Sequence, residues 1–124
     1  MAHQFTWEVN SLYMQWFGTI NAQELIHANS ELVGNASFET IKYIIWDGSG
    51  IEKLDVDVDR TELFAKLASD INPYNRKIKV AFVCNRPEIR SLLAGYIDEC
   101  KQLVPHAQQA LFETIDEARD WAQH

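Results

Sequence analysis

The chain has 124 residues, 47% hydrophobic and 23% charged, which suits one soluble globular domain with a substantial core. A net charge of −7 and an isoelectric point near 4.9 set it against nucleic acid and anionic membrane surfaces, whose phosphates would repel it. No stretch reaches the roughly 18 consecutive apolar residues of a spanning helix. Met1-Ala2-His3-Gln4-Phe5 does not read as a secretory leader, and Cys84 and Cys100 supply no disulfide framework. The expected address is the cytoplasm.

The chain opens as a hairpin. Phe5, Trp7 and Val9 alternate with polar residues, Asn10-Ser11 supplies the turn, and Leu12, Met14 and Trp16 alternate with Tyr13, Gln15 and Phe17. Gly18 is expected to end that second strand. Asn21 with Glu24 three residues later forms a capping box for a helix whose apolar side is Leu25, Ile26, Ala28, Asn29 and Leu32. Gly34-Asn35 stops it. Ile41 to Trp46 is an almost unbroken apolar run of strand length, as expected of a central strand covered on both faces.

Asp59 with Glu62 opens a second helix through Leu63, Phe64, Leu67 and Ala68 to about Ile71, closed by Asn72-Pro73. Ile78 to Cys84 reads as another buried strand. Asn85 is placed to cap the next helix, with Pro87 in its first turn, and Ile89, Leu92, Leu93, Tyr96, Ile97, Cys100 and Leu103 recur at helical spacing. A short strand, Ala110-Leu111-Phe112, leads to Thr114 and Glu117, the third capping box, and to a last helix carrying Ala118, Trp121 and Ala122. The order β-β-α-β-α-β-α-β-α across residues 1–124 predicts a single α/β domain. Its five-stranded sheet is mixed but mostly parallel, with helices packed on it.

Several segments resemble SpoIIAA-like (STAS) domains. Gly18-Thr19-Ile20 leading into Glu24-Leu25 resembles that family's first helix entry, and Ile44-Ile45-Trp46-Asp47 its central strand ending in Asp. Lys79-Val80-Ala81-Phe82-Val83 resembles the next strand, and Phe112 with Glu117-Ala118 and Trp121 the last strand and helix. The resemblance spans nearly the whole chain in short pieces, and is strongest to stand-alone SpoIIAA-like proteins, which share a superfamily with CRAL-TRIO lipid-binding domains. It implies a regulatory module of the anti-sigma-factor-antagonist kind. In that family an Asp-Ser-Ser-Gly loop at the start of the second helix carries a phosphorylatable serine. Here the corresponding residues are Asp55-Val56-Asp57-Val58. Asp57 replaces the serine, so the resemblance implies the scaffold without the switch, with a fixed carboxylate in place of a phosphate.

The residues after the central strand form the candidate partner-binding loop: Asp47, Gly48, Ser49, Asp55 and Asp57. Ligands of α/β proteins are met where strands end in such loops. Asp47 is expected to orient the loop, Gly48 to permit its turn and Asp57 to present the charge. Asp55, Asp57 and Asp59 could also share one side of an extended segment and offer hard oxygens to a cation. The sixth and twelfth positions of that run are Arg60 and Lys66, which excludes an EF-hand, and a solvated edge with Asp59 as helix cap is the plainer account.

Cys84 and Arg90, separated by five residues between a strand and a helix, match the frame of cysteine phosphatases. The intervening loop lacks glycine, Pro87 removes a donor and Glu88 would repel phosphate, so a buried strand-end thiol competes with that reading. His3, His27, His106 and His124 show no metal-ligand spacing. Ser49 lacks a nucleophile elbow, and no phosphate loop follows the glycines. No catalytic constellation, metal or cofactor is called for.

Three functions follow in order. The first is non-enzymatic binding of a regulatory protein partner. The second is carriage of a small apolar ligand or lipid, with Trp16, Phe17, Phe82, Leu92, Leu93 and Tyr96 as a lining. The third is cysteine-dependent catalysis by Cys84 and Arg90. The first hairpin also carries apolar residues on both alternations, which points to a homodimer surface that includes Trp7 or Tyr13.

Overall fold

Alternation in the first twenty residues produces two strands, β1 (His3–Trp7) and β2 (Ser11–Asn21), paired antiparallel in the register Phe5–Met14 and Trp7–Leu12. A computed structural model describes residues 3–55, 78–103 and 108–124. The hairpin turn lies one step earlier than the sequence suggests. The Glu8 amide donates to the Ser11 carbonyl at 2.8 Å, and Ser11 already belongs to β2. Val9 therefore sits on the turn, 95% exposed, and not in a strand.

Gly18 does not end β2, which continues to Asn21. Gly18 has φ +66, a left-handed conformation that costs glycine little, and the register against the next strand shifts between Gly18 and Thr19. The glycine absorbs an irregularity and the strand goes on.

Asn21 then starts α1 (Ala22–Gly34) as expected, its side chain accepting the Glu24 amide at 2.9 Å. Ala28 and Leu32 are the buried residues of α1, while Ile26 on its expected apolar side is exposed. Asn35 closes α1 and also starts a single 3₁₀ turn, Ala36–Glu39, by accepting the Ser37 amide at 2.9 Å. That turn puts Phe38 into the core.

The central strand β3 (Tyr43–Asp55) is much longer than its apolar run. It pairs in parallel with β2 along its whole length and with β4 (Lys79–Val83) only from Tyr43 to Asp47. The helix expected from Asp59 to Ile71 lies outside the described residues. Next comes α2 (Pro87–Leu103), whose first turn is marked by the Arg90 amide bonding to the Arg86 carbonyl at 2.9 Å. That bond puts the cap position at Arg86 and not at Asn85. Finally β5 (Gln108–Phe112) pairs in parallel with β4, and α3 (Ile115–Gln123) starts at Thr114, whose hydroxyl oxygen accepts the Glu117 amide at 3.2 Å.

The sheet order is β1-β2-β3-β4-β5, parallel apart from β1. Strand alternation sends side chains to two unlike faces. One face carries Leu12, Met14, Trp16, Ile44, Trp46 and Phe82 and is covered by Ala28, Leu32, Phe38, Ile89, Leu93 and Ile97 from the helical segments. Ring contacts run through it: Trp16 to Trp46 at 5.2 Å, Trp46 to Phe82 at 5.3 Å and Phe82 to Tyr96 at 5.8 Å. Large side chains buried in this way stabilise by roughly 1.5–3 kcal/mol each. The other face carries Tyr43, Ile45, Ala81 and Val83 under α3, which buries Ala118 and Ala122 against them and packs Ile115 and Trp121 alongside.

Candidate functional site

Tyr13 on β2 and Asp47 on β3 both point to the α3 face, and they meet. The Tyr13 hydroxyl donates to Asp47 Oδ2 at 2.6 Å. Asp47 Oδ1 accepts the Ser49 hydroxyl at 2.6 Å and the Ser49 amide at 3.0 Å. Asp47 is 7% exposed, and its three hydrogen bonds among the described residues come from neutral donors. Burial raises the Tyr13 pKa to about 12, with the Asp47 hydrogen bond and charge adding to it.

Gly48 and Gly50 explain why this stretch stays in the sheet. A Cβ on Gly48 would lie 2.8 Å from the Trp46 ring and 3.1 Å from the Val83 carbonyl oxygen. One on Gly50 would lie 2.8 Å from the Trp16 carbonyl oxygen. These glycines permit close passage of backbone and do not form a turn. The expected loop is therefore corrected: Asp47, Gly48 and Ser49 are strand residues, and Asp55 is the exposed last residue of β3. Asp47 and Gly48 are buried, Ser49 faces solvent, and Asp57 lies outside the described residues.

A second polar cluster occupies the opposite end of the same face, where the hairpin turn, the start of β3 and α3 converge. Arg119 places Nη1 on Glu8 Oε1 at 3.2 Å and Nη2 on Oε2 at 3.3 Å, a two-pronged grip. The Ser11 hydroxyl donates to Glu8 Oε1 at 2.7 Å. The Tyr43 hydroxyl oxygen accepts from Arg119 Nη1 and from Gln123 Nε2, each at 3.4 Å. The Ser11 hydrogen bond holds the Glu8 carboxyl below its ordinary value; burial opposes that shift and Arg119 reinforces it. Burial would push the Tyr43 hydroxyl up, but hydrogen bonds with Gln123, Ser11 and Arg119, and the guanidinium charge, hold it below 10.0. Arg119 also lies over the Tyr13 ring, 5.5 Å from its centre, and so touches both clusters.

Sequence reading missed this second cluster, because Glu8 and Arg119 are 111 residues apart and no motif joins them. The available signal was Arg119 on the helix side shared by Ala118 and Ala122, and a tyrosine opening an apolar strand.

The two other candidate sets are placed differently from expectation. Cys84 is 0% exposed and packed in the main core, and Arg90 Nη1 donates to its carbonyl at 2.7 Å. The arginine is thus engaged by the loop backbone, and no solvent-facing thiol accompanies it. Of the proposed ligand lining, Trp16, Phe82, Leu93 and Tyr96 pack into the core, whereas Phe17 is exposed. Trp7 and Tyr13 lie on opposite faces of the hairpin, Trp7 packed against the main core and Tyr13 under Arg119.

The whole architecture has solved counterparts. An anti-sigma factor antagonist from Mycobacterium paratuberculosis matches with TM-score 0.63 and 12% identity, over 98% of this chain and 93% of that one. The anti-sigma factor antagonist SpoIIAA in its unphosphorylated form matches with TM-score 0.60 and 13% identity, over 98% of both chains. This chain has the SpoIIAA-like (STAS) fold. An uncharacterised DUF3478-family protein with a SpoIIAA-like fold from Shewanella loihica matches with TM-score 0.57 and 14% identity, over 98% of this chain and 92% of that one. No family model and no curated protein matches the sequence. The fold expected from the sequence is the fold observed, with five strands in a mixed sheet.

Proposed function

We propose that this chain is a regulatory protein-binding module of the SpoIIAA-like type, acting without catalysis and without a phosphorylatable serine at position 57. The observation that carries this reading is the match over nearly the whole chain to anti-sigma factor antagonists. The partner surface is the second half of β3, where Ser49 and Asp55 are exposed, together with Asp57 two residues further along the sequence. Asp47 supports that surface from beneath by holding Ser49 through two hydrogen bonds. Asp57 supplies the fixed negative charge. The module works in the cytoplasm; among the described residues no helix is long and apolar enough to cross a membrane. Self-association is part of the proposal and uses a surface of the first hairpin that includes Trp7 or Tyr13. Light scattering at micromolar concentration should give twice 14.3 kDa, shifting towards monomer in Trp7→Ala; a monomer mass throughout would remove it.

The test of the main reading is affinity capture from a native lysate, followed by quantitative exchange of the captured protein against variants. One dominant partner should bind wild type and be lost with Asp57→Ala or Ser49→Arg, while Glu39→Ala, on the exposed 3₁₀ turn, leaves it bound. A partner held equally by all variants would overturn the surface assignment.

A further inference from the structure

The second polar cluster lies under an open cleft of about 510 Å³, within the size range of small-molecule sites. Glu8, Val9, Lys42, Tyr43, Arg119 and Gln123 are among the residues that line it. Its charge differs from that of the rest of the molecule. Lys42 and Arg119 stand there against the single carboxylate of Glu8, in a chain of net charge −7. Arg119 is committed, because both prongs of its guanidinium hold Glu8. Lys42 is exposed and makes no ion pair among the described residues, so its ammonium is the cation open to a ligand. Beside it, the floor is fixed: the Tyr43 oxygen is held by Arg119 and Gln123, and elements distant in sequence are joined by that network.

We propose that this cleft binds a small organic carboxylate, its charge on the Lys42 ammonium and the Tyr43 hydroxyl, its carbon chain against Val9 and Ala122. A single negative charge matches the one cation left over. A phosphate dianion would place excess negative charge beside Glu8, within an already acidic chain. Val9, almost fully exposed at the hairpin tip, gains apolar cover when the ligand's chain lies on it. The acidified Tyr43 phenol is a stronger hydrogen-bond donor than an ordinary tyrosine, which favours a carboxylate acceptor. This site is separate from the partner surface at the far end of β3, and either can fail without the other.

The probe is sodium butyrate, titrated into the full chain while backbone amide resonances are followed by NMR, with butyramide and inorganic phosphate as parallel titrations. Butyrate should saturate and shift residues 8–11, 42–43 and 119–123. Lys42→Ala should weaken it by roughly tenfold or more, as should Tyr43→Phe, since hydrogen bonds to charged groups are at stake. Butyramide and phosphate should bind more weakly than butyrate. Lys42 is exposed, so its variant should melt like wild type and keep the binding test meaningful. Non-saturating butyrate shifts, equal binding of butyramide, tighter binding of phosphate, or undiminished binding in Lys42→Ala would each overturn the proposal.

Discussion

The two ends of the α3-covered face use the same parts, a tyrosine and a carboxylate, and shift the tyrosine in opposite directions. At one end Asp47 is buried, takes neutral donors among the described residues, and helps raise Tyr13 to about 12 after burial has begun the shift. At the other, the Ser11 hydrogen bond lowers the Glu8 carboxyl and, against burial, hydrogen bonds with Gln123 and Ser11 lower the Tyr43 phenol, with Arg119 reinforcing both shifts. The contrast shows that the ionisation of each tyrosine is set by its neighbours: an anionic acceptor at Tyr13, and donors from Gln123, Ser11 and Arg119 at Tyr43. It also separates their roles. The Asp47 cluster is a closed brace inside the sheet, while the Glu8–Arg119 cluster is an open, charge-compensated floor.

Removing the brace should have the largest effect. Asp47→Ala strips the acceptor from the Tyr13 hydroxyl and from the Ser49 amide and hydroxyl, and should cost about 2–3 kcal/mol in urea unfolding. The same measurement on Glu8→Ala should show no more than about 1 kcal/mol, because a partly exposed ion pair gains little over its hydrated state. Equal losses would erase the distinction between a closed and an open cluster.

The pH dependence sharpens the contrast at the open end. Glu8 has a folded pKa below its unfolded value of 4.5, so its contribution is fully present above that value and is lost as pH falls through the lowered one. The stability difference between wild type and Glu8→Gln should therefore be constant near neutrality and close in that acid window. A difference that grows on acidification would contradict the assignment. Smaller still is the salt effect: raising ionic strength should narrow the gap between wild type and Glu8→Ala, since exposed pairs are screened, and leave the Asp47→Ala deficit nearly unchanged.

How far the sequence reached follows from what kind of signal each region carries. Caps at Asn21 and Thr114, and the apolar runs around Ile44 and Ala81, are local, and they placed the helices and central strands correctly. Glycine misled in the middle of the chain. Gly18 read as a strand end and Gly48 as part of a turn, but Gly18 serves a register shift and Gly48, like Gly50, close backbone passage, which only the neighbouring strand reveals. Asp47 and Ser49 stood out as candidates because they follow the apolar run of the central strand, although the strand itself continues through them. Glu8, Tyr43 and Arg119 did not, because contact between a hairpin turn and a last helix is a product of the finished sheet. The Cys84–Arg90 frame had correct spacing and the wrong environment: burial took the thiol, and the loop carbonyl took the arginine.

The opposed shifts of the two tyrosines are tested most directly by an NMR pH titration of the tyrosine Cζ resonances, assigned with Tyr13→Phe and Tyr43→Phe. Tyr43 should ionise below 10.0 and Tyr13 only near 12, with Tyr43 moving upward in Arg119→Met while Tyr13 stays high. Coincident ionisation of the two tyrosines, or a Tyr43 indifferent to the loss of Arg119, would contradict the account.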